Sequence, residues 1–331
     1  MKLINTLEAE GHILCHDMTE IVPGEYKKTR FKRGQRISAA DIPVLLDMGK
    51  EQLYVWEEEP LMLHEEEGAR RLSLLCLGEN IRAAHVREGK IELFAEKSGL
   101  LKVRSEKLFR INSVGGMAVI TLTGNRGVKD GDKVAAAKII PLLIEEEKIA
   151  RAEEISGGEK IARVLPYKPK KAGLIITGNE IFHKRKSDTG SGILEKKIQA
   201  FGGECVEKVI LLDDPERITA SIQGMIEQGL DLIICTGGMS VDTDDKTPLA
   251  IRNSGARIVS YGVPFMPGFM LLLSYYEKNS QTIPVIGAPA CVFYEGLTVL
   301  DILLPRLMAD DPVSWEDLAL MGEGGLAAAD N

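Results

Sequence analysis

The chain has 331 residues, 44% of them hydrophobic and 27% charged, with a net charge of −8. That length suits about two domains and that composition a soluble globular protein, while an acidic balance with no long basic stripe argues against nucleic acid as a partner. Five scattered cysteines without a C-x-x-C pair, an N-terminus without a signal-peptide core and no run of 18 apolar residues point to a cytoplasmic protein with no membrane span.

In chain order, SAADIPVLLDMGK (38–50) predicts a short helix with Ser38 as N-cap, Asp41 in a capping-box role and Gly49 as the stop. YVWEEEP reads as a strand ending at Pro60, and 61–78 as a helix. GKIELFAEKSGLLKV suggests a hairpin, and MAVITLT and DGDKVAAAKIIP further strands. The charged stretch 142–170 ends in PYKPKK, which suits a domain boundary. The expected organisation is an α+β accessory region over 1–165, divisible near residue 60, an α/β domain over 166–312, and a tail over 313–331 whose GEGGLAAADN end is expected to be disordered.

Beyond residue 170 strands and helices alternate: AGLIIT, ILEKKIQAF, CVEKVILL, 215–228, DLIICT, KTPLAIRN, ARIVSYG, PGFMLLLSYYE (a helix), TIPVIG and a closing helix. This rhythm predicts a doubly wound, mostly parallel α/β sheet with ligands at the C-terminal strand ends. Three segments fall there. Thr177-Gly178-Asn179 leaves a buried strand with little side chain, ahead of the basic cluster His183, Lys184, Arg185 and Lys186 and of Asp188, a candidate helix cap. LLDDPERI places Asp214 as cap before Pro215, and makes Asp213 less necessary for capping. Thr236-Gly237-Gly238 suits a phosphate, and Asp242, Asp244 and Asp245 follow so closely that a cation such as Mg²⁺ or a substrate donor is expected among them. Thr247 is a candidate cap of the next helix. G-x-x-x-x-G-K-[ST], G-x-S-x-G and G-x-G-x-x-G are all absent.

TGNE, SDTG, LLDDPERI, TGGMSVDTDDKTP and MPGF, in this order over about 170–310, resemble the molybdopterin-binding domain of molybdenum cofactor biosynthesis. That domain is shared by molybdopterin adenylyltransferases, molybdopterin molybdotransferases and gephyrin. The resemblance implies a pterin carrying a phosphate monoester and a dithiolene, held at the strand ends with Mg²⁺, ATP or AMP, and molybdate nearby. By position it makes Asp245 and Asp214 the catalytic and metal-holding residues. It makes Thr177, Gly178, Asn179, Glu180, Asp188, Thr236, Gly237, Gly238, Ser240, Pro267, Gly268, Gly287 and Pro289 the cofactor contacts.

Departures matter as well. MPGFM stands where molybdotransferases carry KPGKP, so the lysines expected to contact molybdate are missing, and Ala288 replaces a polar loop residue in Ile286-Gly287-Ala288-Pro289. Residues 20–56 resemble a linker element of molybdotransferases, whose C-terminal β-domain is not expected here. The implied activity is adenylyl transfer to molybdopterin or molybdenum insertion from the adenylated form. The alternative is a non-catalytic carrier or sensor that delivers the cofactor to a cytidylyltransferase or a molybdoenzyme. The family also implies a homo-oligomer.

Overall fold

A computed structural model describes residues 1–22, 24–57, 61–185, 188, 190–240, 246–293 and 296–326. The chain forms two compact units. One comprises Met1–Glu96, Val103–Gly124 and Asp130–Arg163; the other comprises Lys97–Lys102, Asn125–Lys129 and everything from Val164.

The C-terminal unit is built on β1 (Lys171–Thr177), α1 (Asn179–Phe182), α2 (Ser191–Gln199), β2 (Glu204–Leu211), α3 (Pro215–Glu227), β3 (Leu232–Thr236) and α4 (Thr247–Asn253). It continues with β4 (Arg257–Tyr261), β5 (Leu272–Lys278), β6 (Gln281–Ala288), α5 (Val299–Met308) and α6 (Trp315–Ala319). The strands form one sheet in the order β2-β1-β3-β6-β5-β4. β2, β1, β3 and β6 run parallel, and β5 and β4 are added antiparallel. Strand alternation separates two cores, because successive side chains point to opposite faces. Leu174, Ile234, Leu273 and Ile286 pack with α2 and α5, whereas Ile175, Ile233, Leu272 and Val285 pack with α3 and α4. Helices therefore cover both faces, as the expected doubly wound α/β class requires.

One expected helix is a strand. PGFMLLLSYYE forms β5, which pairs with β6 through a two-residue turn, Asn279-Ser280, with both φ values positive. That is the geometry whose twist matches two antiparallel strands. A short apolar run does not by itself distinguish a buried strand from a buried helix, so only the pairing decides.

Residues 313–326, set apart as a tail, are part of this unit. Val313 and Leu318 join the core, and Ser314 opens α6 with a capping box to Asp317. The 322–326 part of the expected disordered end also packs, for the Met266 amide donates to the Gly325 carbonyl at 2.7 Å. Arg306 on α5 fastens the turn between α5 and α6. Its side chain is 5% exposed, with Nε 2.5 Å from Asp311 Oδ2, and Nη2 2.8 Å from the Pro312 carbonyl and 3.1 Å from Asp317 Oδ2.

In the N-terminal unit, Ile81–Ala83, Lys90–Ala95, Lys133–Ile139 and Met117–Thr121 form an antiparallel sheet in that spatial order. The helix Glu65–Leu74 packs on it so closely that a Cβ on Gly68 would lie 3.1 Å from Ile139 and Ile144 side-chain atoms. A smaller cluster around Leu14, Ile37, Leu45, Leu53 and Val55 joins the strands Lys2–Asn5 and Gln52–Val55 to the helix Asp41–Asp47. The Ser38 amide and hydroxyl donate to Asp41 there, at 2.9 and 2.7 Å, but the cap position is Ala40, without a side-chain bond, and not the expected Ser38; Gly49 follows with φ +73°.

Three expectations change over residues 61–170. The helix foreseen over 61–78 begins only at Glu65, because Met62–His64 is extended to pair with Leu143–Glu145 and His64 Nδ1 caps the helix by accepting from the Glu66 amide. GKIELFAEKSGLLKV is not a hairpin. Its first strand pairs with Ile81–Ala83 and Lys133–Ile139, and Gly99–Val103 pairs instead with Arg126–Val128. The charged 142–170 stretch contains a helix, Glu146–Ser156, ended by Gly157 at φ +59°.

Removing the Arg306 side chain leaves Asp317 Oδ2 and the Pro312 carbonyl without their donor, while Asp311 keeps Lys102 at 2.9 Å. Arg306→Ala should therefore cost about 2 kcal/mol, the scale of a lost hydrogen bond to a charged group. Urea unfolding of the purified chain measures it, and a change within ~0.5 kcal/mol, the surface-substitution scale, would refute the assignment.

Candidate functional site at the strand ends

The chain leaves β1, β2, β3 and β6 at the same sheet end, because all four run parallel. The 266–269 loop joins them there: β5 is antiparallel to β6 with Leu272 opposite Gly287, so the segment entering β5 lies at the end of β6.

Gly237 and Gly238 form the floor. Gly237 has φ +91°, and a Cβ on it would sit 2.1 Å from the Thr177 carbonyl oxygen, so only glycine fits between the β1 and β3 exits. At Gly238, φ +55°, a Cβ would lie 3.1 Å from Thr247 Oγ1 and 3.3 Å from Asp213 Oδ1. These contacts bring Thr177, Gly237, Gly238, Thr247 and Asp213 together. Thr247 is not the expected side-chain cap: its hydroxyl donates to the Gly237 carbonyl at 2.8 Å and approaches Thr177 Oγ1 at 3.5 Å. It ties the start of α4 to the glycine turn.

Asp213 Oδ1, in this cluster, is buried and has no hydrogen-bond partner, and Thr236 Oγ1, at the end of β3 on the face that carries Ile234, is likewise buried and unpartnered. Burying a polar oxygen without a partner costs about 1–3 kcal/mol, so both atoms are costly for stability alone.

Asp214 is occupied differently. Its Oδ1 accepts from the amides of Glu216 and Arg217 at 2.9 and 3.3 Å, and its Oδ2 lies 3.5 Å from Arg217 Nε. The side chain caps α3, with Pro215 in the first turn. Asp188 likewise turns to its own helix, accepting from the Gly190 and Ser191 amides at 3.2 and 3.0 Å.

The remaining expected contacts line the same end. Gly178 is buried with φ +145°, and Asn179 opens α1 exposed. Gly268, φ +141°, has no room for a Cβ against Val299, and the Pro267 carbonyl accepts from the Val299 amide at 3.1 Å. Gly287 is pressed against Met239, and Pro289 is buried just past β6. Ser240 is exposed, and its carbonyl and that of Met239 accept from the Tyr261 hydroxyl at 3.2 Å each. His183, Lys184 and Arg185 are exposed. Asp242, Asp244, Asp245, Lys186 and the Glu180 side chain lie outside the described residues.

The doubled aspartate of LLDDPERI divides into two roles, as one suffices for the cap: Asp214 caps α3 and Asp213 turns to Gly238. Tyr261, a lone aromatic in a strand, carried no signal. Among the described residues no cluster of three or more His, Cys, Asp or Glu is arranged to hold a metal, and no helix is long and apolar enough to cross a membrane.

The two aspartates should separate cleanly on mutation. Asp214→Ala should lose about 1 kcal/mol of stability through the cap, and Asp213→Asn should lose none. Thermal or urea unfolding of both variants checks this, and equal losses would mean that both carboxylates are structural.

Residues 173–309 match the family model described as "Probable molybdopterin binding domain", and residues 3–57 match a domain of unknown function (DUF8806). The chain is 35% identical over 90 residues to a CinA-like protein of Mycobacterium tuberculosis, covering 27% of this chain and 21% of that protein. It is 28% identical over 145 residues to the molybdopterin molybdenumtransferase of Synechococcus elongatus, covering 41% of this chain and 36% of the relative. It thus spans only about a fifth to a third of these relatives' lengths. Among solved structures, the tungsten cofactor synthesizing protein MoaB of Pyrococcus furiosus matches at 16% identity and a TM-score of 0.34, over 42% of this chain and 88% of that one. The glycine floor and the strand ends lie within residues 173–309, the part of the chain that matches the probable molybdopterin binding domain.

Proposed function

We propose that the strand-end site binds molybdopterin through its phosphate monoester and activates it by adenylyl transfer, as a step of cofactor maturation. The observation that carries this reading is the buried, unpartnered Asp213 Oδ1 beside Gly238, with a second unpartnered oxygen, Thr236 Oγ1, one residue before Gly237. The Thr236 hydroxyl can donate to a phosphate oxygen, and the glycines let that phosphate approach the backbone. Asp213, a carboxylate, cannot donate to a phosphate; it needs a cation or a donor.

Mg²⁺ fits such a place, since it is commonly held by one or two carboxylates together with substrate phosphates. Asp213 would hold it, with Asp245 as the second carboxylate that the family resemblance implies. When bound, the ion neutralises charge on the phosphoryl oxygens. In the transfer itself, a phosphate oxygen of molybdopterin attacks the α-phosphorus of ATP and pyrophosphate leaves. The chain's own contribution is to position: Thr247 and Tyr261 pin the two ends of the 237–240 turn, and Asp213 faces the floor between them. Positioning of this kind is a large part of phosphoryl and nucleotidyl transfer.

A second reading, a carrier of molybdopterin, is favoured by two observations. Asp214 is consumed as a helix cap, and buried Ala288 stands where a polar loop residue was expected.

Mass spectrometry of the protein with molybdopterin and Mg²⁺-ATP, with and without molybdate, tests both. Adenylated or molybdenum-loaded pterin from the unsubstituted chain, lost in Asp213→Asn and Asp245→Asn while pterin still co-purifies, is the expected result. Unchanged but retained pterin would leave the carrier reading, and no retained pterin would overturn both.

A further inference from the structure

The N-terminal unit contains a cavity of about 470 Å³ that neither the strand-end chemistry nor its residues use. It lies against the hairpin Met18–Val22/Tyr26–Phe31, the His64–Glu66 corner and the strand Lys133–Ile139. That volume is in the range of small-molecule sites. Four basic and four acidic residues line it, so its formal charge is balanced.

Part of that charge is used internally. Arg33 Nη1 lies 2.8 Å from Glu66 Oε2, and the Arg33 amide donates to Asp17 Oδ1 at 2.8 Å. Lys138 Nζ donates to the Glu88 carbonyl at 2.6 Å. His64 is committed on both nitrogens, donating from Nε2 to the Cys15 carbonyl and accepting at Nδ1 from the Glu66 amide.

What remains uncompensated has both signs. Among the described residues the ammonium groups of Lys27 and Lys50 have no hydrogen bond or ion pair, and the half-buried Glu65 carboxyl has none either. Burial holds Glu65 above the usual carboxylate range despite the opposing charge of Lys138. His16, on the same wall, is pushed down by burial and then by Lys50, and its Nδ1 is buried without a partner.

The unpartnered Glu65 carboxyl and the buried His16 Nδ1 are costly for stability alone and common at binding sites, and half-buried Lys50 and exposed Lys27 bring two free cations to the same cavity. A simple anion would satisfy the lysines and oppose Glu65, and an apolar molecule would satisfy none of them. A ligand with a carboxylate at one end and an ammonium at the other matches both signs and the balanced total. We propose that this cavity binds a small zwitterion of the amino-acid or short-peptide class, its carboxylate on Lys50 and Lys27 and its ammonium on Glu65. The assignment is independent of the strand-end site, which lies in the other unit.

Titration calorimetry of the full chain with the coded amino acids, glycylglycine, acetate and inorganic phosphate tests it. At least one amino acid or glycylglycine should bind. Lys50→Ala and Glu65→Gln should each weaken it by about tenfold or more, the scale of one hydrogen bond to a charged group. Lys50→Ala should leave molybdopterin retention unchanged, which separates failure here from failure of the strand-end reading. On the unsubstituted chain, the bound zwitterion should protect Lys27 and Lys50 from acetylation, read by mass spectrometry, so the test stands even where a variant does not fold. Acetate or phosphate binding as tightly, no binding by any zwitterion, or binding without protection of either lysine would each overturn the proposal.

Discussion

Two parallel strands release the chain side by side, at Thr177 and at Thr236, with too little space between their exits for a single Cβ. Gly237 fills that gap against the Thr177 carbonyl, and much of the site follows from it. With no side chain at 237 or 238, the backbone itself forms the floor, and the hydroxyl of Thr247 can cross to the Gly237 carbonyl. The positive φ values at both glycines turn the chain sharply there. The close approach is fixed by the sheet, since β1 and β3 are hydrogen-bonded neighbours in parallel register from Ala172↔Leu232 to Ile176↔Thr236.

Two neighbouring aspartates illustrate how the same side chain takes opposite roles one residue apart. Asp214 faces along α3 and satisfies amides that every helix start leaves open. Asp213 lies at the end of the loop from β2, turned toward Gly238, and its buried oxygen is left unpaired. The first contribution is to stability. The second opposes stability, which is why the proposed function places a ligand against it.

The N-terminal unit shows the same contrast at larger scale. Its helix 65–74 packs on the antiparallel sheet through Gly68, Ala69 and Leu72, an ordinary core. The corner where that helix starts is different, because unpaired charges of both signs gather around a cavity beside a fully hydrogen-bonded histidine. The sequence reading found nothing there, because His16, Lys27, Lys50 and Glu65 are spread over about fifty positions and no spacing connects them.

What the sequence determined by itself is local or periodic. Alternating apolar strands and helices identified the doubly wound sheet, proline and aspartate marked the start of α3, and the ordered TGNE-to-MPGF motifs identified the domain. Glycines after apolar runs pointed to the strand ends. Tertiary structure decided what depends on partners distant in the chain. LLLSYYE became a strand because β6 and the Asn279-Ser280 turn were available to it, and Gly99–Val103 found Arg126–Val128 rather than its neighbour in sequence. It also assigned the cap to Asp214 and the open carboxylate to Asp213, and sent the Thr247 hydroxyl to Gly237. Local preference cannot choose between such alternatives, because a side chain's role is set by which atoms surround it, and those are supplied by the packing of the whole unit.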